Sequence, residues 1–175
     1  ASYEVGYKAT LHDGATTLSA AAFHYDYSDF QVAQVIGIVG VIANAGDATI
    51  DGFELEVTSN VGDDWTLSAG LTLLDSAYGD FLNTDALQGD AGVLQNKGNP
   101  LNKAPEQSLN VGIVRNMTFD SGASLALSLN TAYRSRTYFR EFGQIDDSQA
   151  AYTVVNFNAN FETADELFTT RFFVN

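Results

Sequence analysis

The sequence predicts an all-β fold, an antiparallel up-and-down transmembrane β-barrel, on three observations. Apolar and polar residues alternate in nearly every candidate strand, so each strand has one oily face and one wet face. The connections are short at one end of the strands and longer at the other, as in outer-membrane barrels. The wet faces also carry more charged side chains than the dry interior of a small soluble barrel accepts.

Composition limits the class of protein. The chain has 175 residues, no cysteine and a formal net charge of −14, from 22 acidic and 8 basic residues. This charge argues against nucleic acid as a partner, because nucleic-acid binders need a basic surface. The longest apolar run, residues 35–43, is far shorter than the roughly 20 residues of a membrane-spanning helix. The opening segment, ASYEVGYKAT, is not expected to be a signal peptide.

The first strand, predicted at residues 2–11, shows the alternation most plainly. Its apolar face holds Tyr3, Val5, Tyr7, Ala9 and Leu11, and its polar face holds Ser2, Glu4, Gly6, Lys8 and Thr10. A tight turn follows at residues 12–14, in which Gly14 is free to adopt a positive φ.

A long hairpin is predicted next. Its first strand, at residues 16–36, is much longer than ordinary strands of about five or six residues, so the hairpin projects past the layer that it crosses. The alternation places Phe23 on the apolar face and Asp26 on the wet face. The tip is expected at residues 37–40 and the return strand at residues 42–59.

The rest of the chain continues the same pattern of amphipathic strands. Further strands are predicted at residues 65–78, 107–119, 123–138, 151–161 and 167–175. Two polar connections, residues 79–106 and 140–149, separate some of them, and the first is of a length that is usually functional or mobile. Aromatic residues beside the short turns fit an interfacial girdle. These are Trp65, Phe119, Phe161 and Phe168.

Pattern alone leaves two alternatives open. Eight amphipathic strands also suit a soluble β-sandwich or a lipocalin-like ligand-binding barrel. A small closed outer-membrane barrel with a structural role is the other alternative, since eight-stranded barrels of that kind exist. The three architectures differ in what covers the apolar face and in whether the outermost strands of the sheet pair with each other.

Several segments, taken together and in order, resemble TonB-dependent outer-membrane receptors. They are SYEVGYKATLHDGATTLSAAAFHYDYSDFQV, NAGDATIDGFELEV, WTLSAGLTLLDSAYGDF, LNKAPEQSLNVGI, AYRSRTYF, AYTVVNFNANF and TTRFFVN. The resemblance implies that residues 1–175 form one partial β-barrel domain. It further implies about eight strands near the C-terminal end of a barrel of about 22 strands, in a fragment that lacks the plug domain and the last strand.

The resemblance also implies a function. The whole receptor would import a ferric siderophore or a similar scarce ligand through the bacterial outer membrane, driven by TonB acting on the plug. Outer-membrane lipid and lipopolysaccharide are the implied surroundings of the barrel. A transport protein of this kind is not an enzyme, and no cofactor is expected.

The candidate ligand site consists of Arg134, Arg136, Tyr138 and Arg140. These residues cluster at a strand-to-loop edge, which the resemblance places at the extracellular mouth, and arginine binds anionic groups through charge-assisted hydrogen bonds. The same residues also suit a girdle in which arginines reach lipid or lipopolysaccharide phosphates.

No catalytic or metal site is predicted. The sequence contains no GxSxG elbow and no HxH or HExxH spacing. His12 lies in a turn and His24 is assigned to a wet strand face, far from each other along the chain. The acidic pairs at residues 63–64 and 146–147 lack the alternating oxygen ligands of a calcium loop and are interpreted as solvated turn carboxylates.

Overall fold

The computed structural model describes residues 1–29, 31–36, 39–44, 46–85 and 92–175. The strands are β1 (Ser2–Leu11), β2 (Thr16–Tyr27), β3 (Gln31–Ile36), β4 (Val39–Asn44), β5 (Ala48–Val61), β6 (Trp65–Tyr78), β7 (Leu82–Thr84), β8 (Val93–Gln95), β9 (Gln107–Thr118), β10 (Ser124–Arg134), β11 (Thr137–Tyr138), β12 (Ser148–Gln149), β13 (Tyr152–Glu162) and β14 (Thr169–Val174). A single-turn 3₁₀ helix covers Ile145–Asp147. Within the described ranges, no helix is both long enough and apolar enough to span a membrane.

Eight strands form one antiparallel sheet in the order β1-β2-β5-β6-β9-β10-β13-β14. Each main strand therefore lies beside the next one along the chain, which is the predicted up-and-down topology. The turns that join β1 to β2, β5 to β6, β9 to β10 and β13 to β14 are short, and we call this side the short-turn end. The longer connections, at residues 28–47, 79–106 and 135–151, lie at the opposite side, the mouth end.

The outermost strands of the described sheet, β1 and β14, do not pair with each other. Each has one neighbour, β2 for β1 and β13 for β14, so the sheet is open. A small barrel closed by these eight strands is therefore not what the chain forms. The sheet keeps the architecture predicted from the alternation, that of a transmembrane wall, but as an open segment of a barrel.

The sheet register gives the wall two distinct faces. Residues directly opposite each other on paired strands share a face. One continuous row runs across the sheet through Tyr7, Ala20, Leu55, Leu71, Leu109 and Tyr133. We call this side the outer face, and the side that carries Glu4, Lys8, Glu54, Glu56 and Arg171 the inner face.

The apolar side chains of the outer face are not gathered into a dry centre. Tyr7 is 63% exposed and Val5 is 71% exposed. Among the described residues, the buried hydrophobic side chains lie mainly near the mouth end instead, in the cluster of Val32, Ala48, Tyr78, Phe81 and Leu101. A soluble sandwich would bury its apolar face under a second layer, so the soluble alternative is not supported.

Two predictions about the first hairpin are wrong. The predicted strand at 16–36 ends at Tyr27, and Gln31–Ile36 pairs with Val39–Asn44 in a separate two-stranded sheet, so the return strand begins at Ala48 rather than residue 42. The chain departs from extended geometry on both sides of this hairpin, with φ of 57° at Asp29 and 74° at Gly46. The predicted tip at 37–40 includes residues 37 and 38, which lie outside the described residues.

The assignment of faces within β2 is also wrong. His24 is opposite Tyr3 and Asp51, which lie on the outer face, and Asp26 follows on the same side. Phe23 is opposite Glu4 and therefore lies on the inner face. The reason is that the order of apolar and polar residues in β2 reverses near the mouth end. There the outer face carries polar side chains and the inner face carries aromatic ones.

The remaining strand boundaries agree closely with the sequence. β1 and β6 have the predicted limits, and β9, β13 and β14 differ by one or two residues. The predicted strand at 123–138 is too long, because β10 ends at Arg134. Beyond it, Thr137–Tyr138 pairs with Ser148–Gln149 inside the connection rather than with the main sheet.

Candidate functional site

The inner face presents a patch of amide and hydroxyl groups at mid-wall. Asn130 on β10 is opposite Gly112 on β9 and Asn156 on β13, and Asn110 lies two residues before Gly112. We call Asn110, Asn130 and Asn156 the amide patch. Amide side chains both donate and accept hydrogen bonds, so this surface suits a polar backbone or a polar solute. A hollow of about 450 Å³ opens over it.

Gly112 makes room for the side chains of this patch. A Cβ on Gly112 would lie 2.5 Å from Ser68 Oγ and 3.1 Å from Asn130 Oδ1. Such distances are shorter than van der Waals contact, so a larger residue would displace both side chains. The glycine thus lets polar groups from β6 and β10 meet across β9.

Three aromatic rings form a column on the inner face near the mouth end. The rings of Phe23 and Tyr25 stack with centroids 5.0 Å apart, and the rings of Tyr25 and Tyr27 meet edge to face at 6.2 Å. The Tyr25 hydroxyl lies 3.4 Å from Glu4 Oε2 and donates to it. We call Phe23, Tyr25 and Tyr27 the aromatic column.

The connection at 79–106 folds back onto the mouth end of the wall. Tyr78 and Phe81 are each 3% exposed, and their ring centroids lie 5.7 Å apart. The Tyr78 amide donates to Asn99 O at 3.0 Å, and the Gly98 amide donates to Tyr78 O at 2.9 Å. These contacts fix the described part of the connection beside the aromatic column.

A buried ion pair joins this connection to the next one. Asp85 is fully buried, and Arg140 Nη1 donates to its Oδ1 at 2.5 Å, while Arg140 Nε donates to Asp147 Oδ2. We call Asp85, Arg140 and Asp147 the arginine latch. Burial lowers the pKa of Arg140, but its hydrogen bonds to Asp85 and Asp147 raise the pKa above its usual value overall, so the guanidinium stays charged.

A second set of buried hydrogen bonds joins the same two connections. Asn83 Nδ2 donates to Glu141 Oε1 at 2.5 Å, and Asn99 Nδ2 donates to the Glu141 carbonyl at 2.9 Å. Glu141 is 6% exposed, so its carboxylate is satisfied by an amide rather than by water. These contacts therefore join the described parts of the two connections at the mouth end.

The four residues of the predicted ligand site occupy four different environments. Arg140 belongs to the latch, and Arg136 Nη1 donates to Ser148 Oγ at 2.6 Å. The carbonyl of Tyr138 accepts the Lys103 amide at 2.8 Å, while its side chain is half-buried. Arg134 is exposed at the end of β10, on the inner face. The structure thus places all four at the mouth end but brings only Arg140 into a charged cluster.

Sequence reasoning missed three features that the register assembles. The aromatic column was assigned to the wrong face, although the acidic residues of β1 and β5 marked the inner side. The buried carboxylate Asp85 lies 55 residues from Arg140 and had no local signal. The third feature is Arg115, whose guanidinium Cζ lies 4.9 Å from the centroid of the Trp65 ring on the outer face.

The histidines lie apart, and neither joins a metal cluster. His24 Nδ1 lies 2.8 Å from Asp51 Oδ1 and its Nε2 lies 3.1 Å from Asp26 Oδ2. His12 Nδ1 lies 3.1 Å from Thr16 Oγ1. In the part of the chain that the structure describes, no three His, Cys, Asp or Glu side chains assemble in a way that would hold a metal ion.

Comparison with known proteins gives a family match over the whole chain. The family model described as "TonB dependent receptor-like, beta-barrel" matches residues 1–175. The curated "Probable TonB-dependent siderophore receptor PiuA" of Acinetobacter baumannii is 36% identical over 74 residues, which are 42% of this chain and 10% of that protein.

Solved structures have the same fold. The siderophore receptor PiuA of Acinetobacter baumannii superposes with a TM-score of 0.72 at 22% identity, over 91% of this chain and 22% of that one. The ferric yersiniabactin uptake receptor FyuA of Yersinia pestis gives a TM-score of 0.72 at 19% identity, over 94% and 22% of the respective chains. The chain therefore spans about a fifth of the length of these structures.

Proposed function

We propose, because this chain belongs to the TonB-dependent receptor β-barrel family, that it forms part of the wall of an outer-membrane receptor that imports a ferric siderophore. The role is that of a receptor and transporter rather than an enzyme. Related proteins with this fold carry the names siderophore receptor and ferric yersiniabactin uptake receptor. These names support the class of ligand, and the specific ligand is left open.

One observation carries the proposal: the same sheet is apolar outside and polar inside. A lysine or arginine on the lipid-facing side of such a barrel costs about 2–4 kcal/mol at the bilayer midplane. The acidic pair Glu54 and Glu56 instead projects inward, while their neighbours Phe53 and Leu55 project outward. This arrangement suits a wall with hydrocarbon on one side and water or a polar plug on the other.

We further propose that other strands of the receptor pair with both edges of this sheet. Unpaired backbone groups in hydrocarbon cost several kcal/mol each. β1 and β14 each leave one edge free in the described sheet. A barrel of about 22 strands, as in large outer-membrane transporters, would satisfy both edges.

The family implies partners on both faces of the wall, a plug domain inside and outer-membrane lipid outside. The amide patch and the small residues beside it, such as Gly70 and Gly112, offer a surface on which a plug domain can pack through backbone hydrogen bonds. TonB would act through that plug. Outer-membrane lipid would surround the outer face, and lipopolysaccharide would surround its mouth end, where the wall turns polar.

For the ligand, the proposed contacts lie at the mouth end. Arg134, Arg136, Tyr138 and Arg140 remain the proposed residues, and the aromatic column adjoins them as a further surface. Arg134 is the exposed cation of this set and could donate charge-assisted hydrogen bonds to an anionic ligand. Arg140 is expected to act indirectly, because its charge is used by the arginine latch.

Uptake of iron tests this proposal. A siderophore-uptake-deficient strain that expresses the complete receptor should accumulate ⁵⁵Fe from a panel of ferric siderophores, and the same strain without TonB should not. Arg134→Gln should raise the half-saturating concentration of the transported siderophore, whereas Lys97→Gln, a change at an exposed ion pair, should not. TonB-independent accumulation, or none from any siderophore, would contradict the proposal.

A further inference from the structure

Arg115 is a cation on the lipid-facing side of the wall. It is opposite Trp65 on one neighbouring strand and Leu127 on the other, and both belong to the outer face. Its next outer-face neighbour along β9 is Ile113. A guanidinium in such apolar surroundings is costly unless it reaches a polar group.

Among the described residues, this cation has an aromatic ring beside it but no counter-charge. The Arg115 guanidinium lies over the Trp65 ring, with Cζ 4.9 Å from its centroid, which is a cation–π contact. Arg115 Nε is buried and donates to no acceptor within the described residues. Across the same ranges, no carboxylate forms an ion pair with Arg115.

An apolar groove begins at this side chain. A cavity of about 190 Å³ on the outer face is lined by Trp65, Ile113, Arg115, Leu127, Ser128, Leu129 and Phe157, of which all but Arg115 and Ser128 are apolar or aromatic. Apolar protein cavities of about 150 Å³ are large enough to hold benzene. The groove therefore has room for a segment of one hydrocarbon chain, with the cation at its end.

The position along the strand identifies the side of the membrane. Arg115 lies three residues before the end of β9 at Thr118, close to the short-turn end. In outer-membrane barrels the short turns face the periplasm, and the aromatic girdle there lies at the level of the lipid headgroups. A long arginine side chain reaches that level by extending along the apolar surface.

We propose that the Arg115–Trp65 groove binds one phospholipid of the periplasmic leaflet, with its phosphate on the Arg115 guanidinium and one acyl chain in the groove. Charge complementarity selects this occupant: the site offers one guanidinium that has no ion-pair partner among the described residues, followed by a mostly apolar groove. Arginine is suited to phosphate because its planar fork donates more than one hydrogen bond. The inference rests on the proposed placement of the sheet in the outer membrane.

Native mass spectrometry of the complete receptor tests the site. The protein is purified in detergent and supplied with palmitoyl-oleoyl-phosphatidylglycerol, and the lipid retained on dissociation is counted. The wild type is expected to retain one tightly held molecule. Arg115→Gln should weaken retention by about tenfold, the effect of one charge-assisted hydrogen bond, and Arg115→Lys should be intermediate because it keeps the charge but loses the fork.

A matched control uses an arginine on the other face. Arg171 lies on the inner face, where its Nε donates to Asn160 Oδ1 at 2.8 Å. Arg171→Gln removes the same charge without touching the groove and should leave lipid retention unchanged. Phe157→Ala, which shortens the groove wall and keeps Arg115, should reduce retention as well.

Three results would overturn the inference. The first is that Arg115→Gln and the wild type retain the lipid equally. The second is that the wild type retains dioleoylglycerol as strongly as phosphatidylglycerol. The third is that lipopolysaccharide, and no other lipid, displaces the bound molecule. The comparison with the phosphate-free lipid uses the wild-type receptor, so it decides the matter even if Arg115→Gln does not fold. Siderophore uptake is measured separately, so loss of the lipid site with normal ⁵⁵Fe uptake leaves the proposed function intact.

Discussion

Gly52 shows how one missing side chain shapes the inner face. A Cβ at this position would lie 2.1 Å from Phe23 Cζ, because the Phe23 ring lies across the Gly52 backbone. The glycine therefore permits the first ring of the aromatic column to lie flat against β5. An aromatic ring that covers a glycine on the neighbouring strand also protects the backbone there.

Substitution of Gly52 should consequently be costly. We expect Gly52→Ala to destabilise the receptor by about 1–3 kcal/mol, as overpacked sites do, because the Phe23 ring must leave its position. Gly6→Ala is the matched control, since a Cβ there would lie 3.7 Å from Ala20 O, an ordinary van der Waals distance. It should be neutral or stabilising by up to about 1 kcal/mol through the entropy of the unfolded chain. Urea unfolding measures both, and equal midpoints would contradict the packing argument.

At the level of elements, the arginine latch holds two connections together. We expect Arg140→Gln to weaken their attachment by about 2–3 kcal/mol, less than the roughly 3–5 kcal/mol of fully buried pairs, because Arg140 is partly exposed. In this variant the carboxylate of the fully buried Asp85 would lose its ion-pair partner, the Arg140 guanidinium. The measurement is amide hydrogen exchange, which we expect to be faster in residues 92–106 and 135–149.

Lys97→Gln serves as the control for the latch. Lys97 Nζ lies 2.9 Å from Asp80 Oδ2, but both side chains are more than half exposed. Exposed pairs of this kind contribute about 0–1 kcal/mol. Hydrogen exchange that increases equally in Lys97→Gln and Arg140→Gln would show that burial does not distinguish the two ion pairs.

The last short turn should respond to acid. Thr163 Oγ1 donates to Asp165 Oδ1 at 2.6 Å and the Leu167 amide donates to it at 3.2 Å, and these bonds lower the pKa of Asp165. The stabilisation is therefore present above the usual Asp pKa and is lost as pH falls through the lowered value. The protection factor of the Leu167 amide, which compares its exchange rate with the intrinsic rate at the same pH, should fall in that acidic range. In Asp165→Ala the protection factor should be low at every pH, and an unchanged profile would contradict this role.

The strands also show how much of the fold could be predicted from the sequence. β1 and β6 were predicted to the residue, because their alternation runs unbroken between turn residues. The end of β2 was missed, since the φ of 57° at Asp29 has no compositional signal of its own. The face of Phe23 required the register with β1 and β5, and the Asp85–Arg140 pair required the folded connections. The last two misses depend on contacts between distant segments, which periodicity does not encode.

For the whole molecule, the difference between the two faces should be measurable at one point of the wall. Leu71 is on the outer face and the adjacent Thr72 is on the inner face, near the middle of β6. We expect Leu71→Arg to destabilise the barrel in lipid by about 2–4 kcal/mol. Thr72→Arg should cost about 1 kcal/mol or less, because its side chain enters the polar lumen. Equal losses in reversible unfolding from lipid vesicles would contradict the transmembrane orientation.

The neighbour-to-neighbour strand order has a consequence for how such a wall is assembled. Every pairing in the main sheet joins strands that are consecutive within it, without a crossover. Because each strand pairs with the preceding strand of the sheet, the sheet can grow by successive addition of hairpins to a free edge. A slip of one residue in one strand would turn the inward-facing acidic side chains of that strand, such as Glu54 and Glu56 of β5, toward the outer face. The tight turn between β1 and β2, with φ of 54° and 53° at His12 and Asp13, therefore fixes the register of the first hairpin.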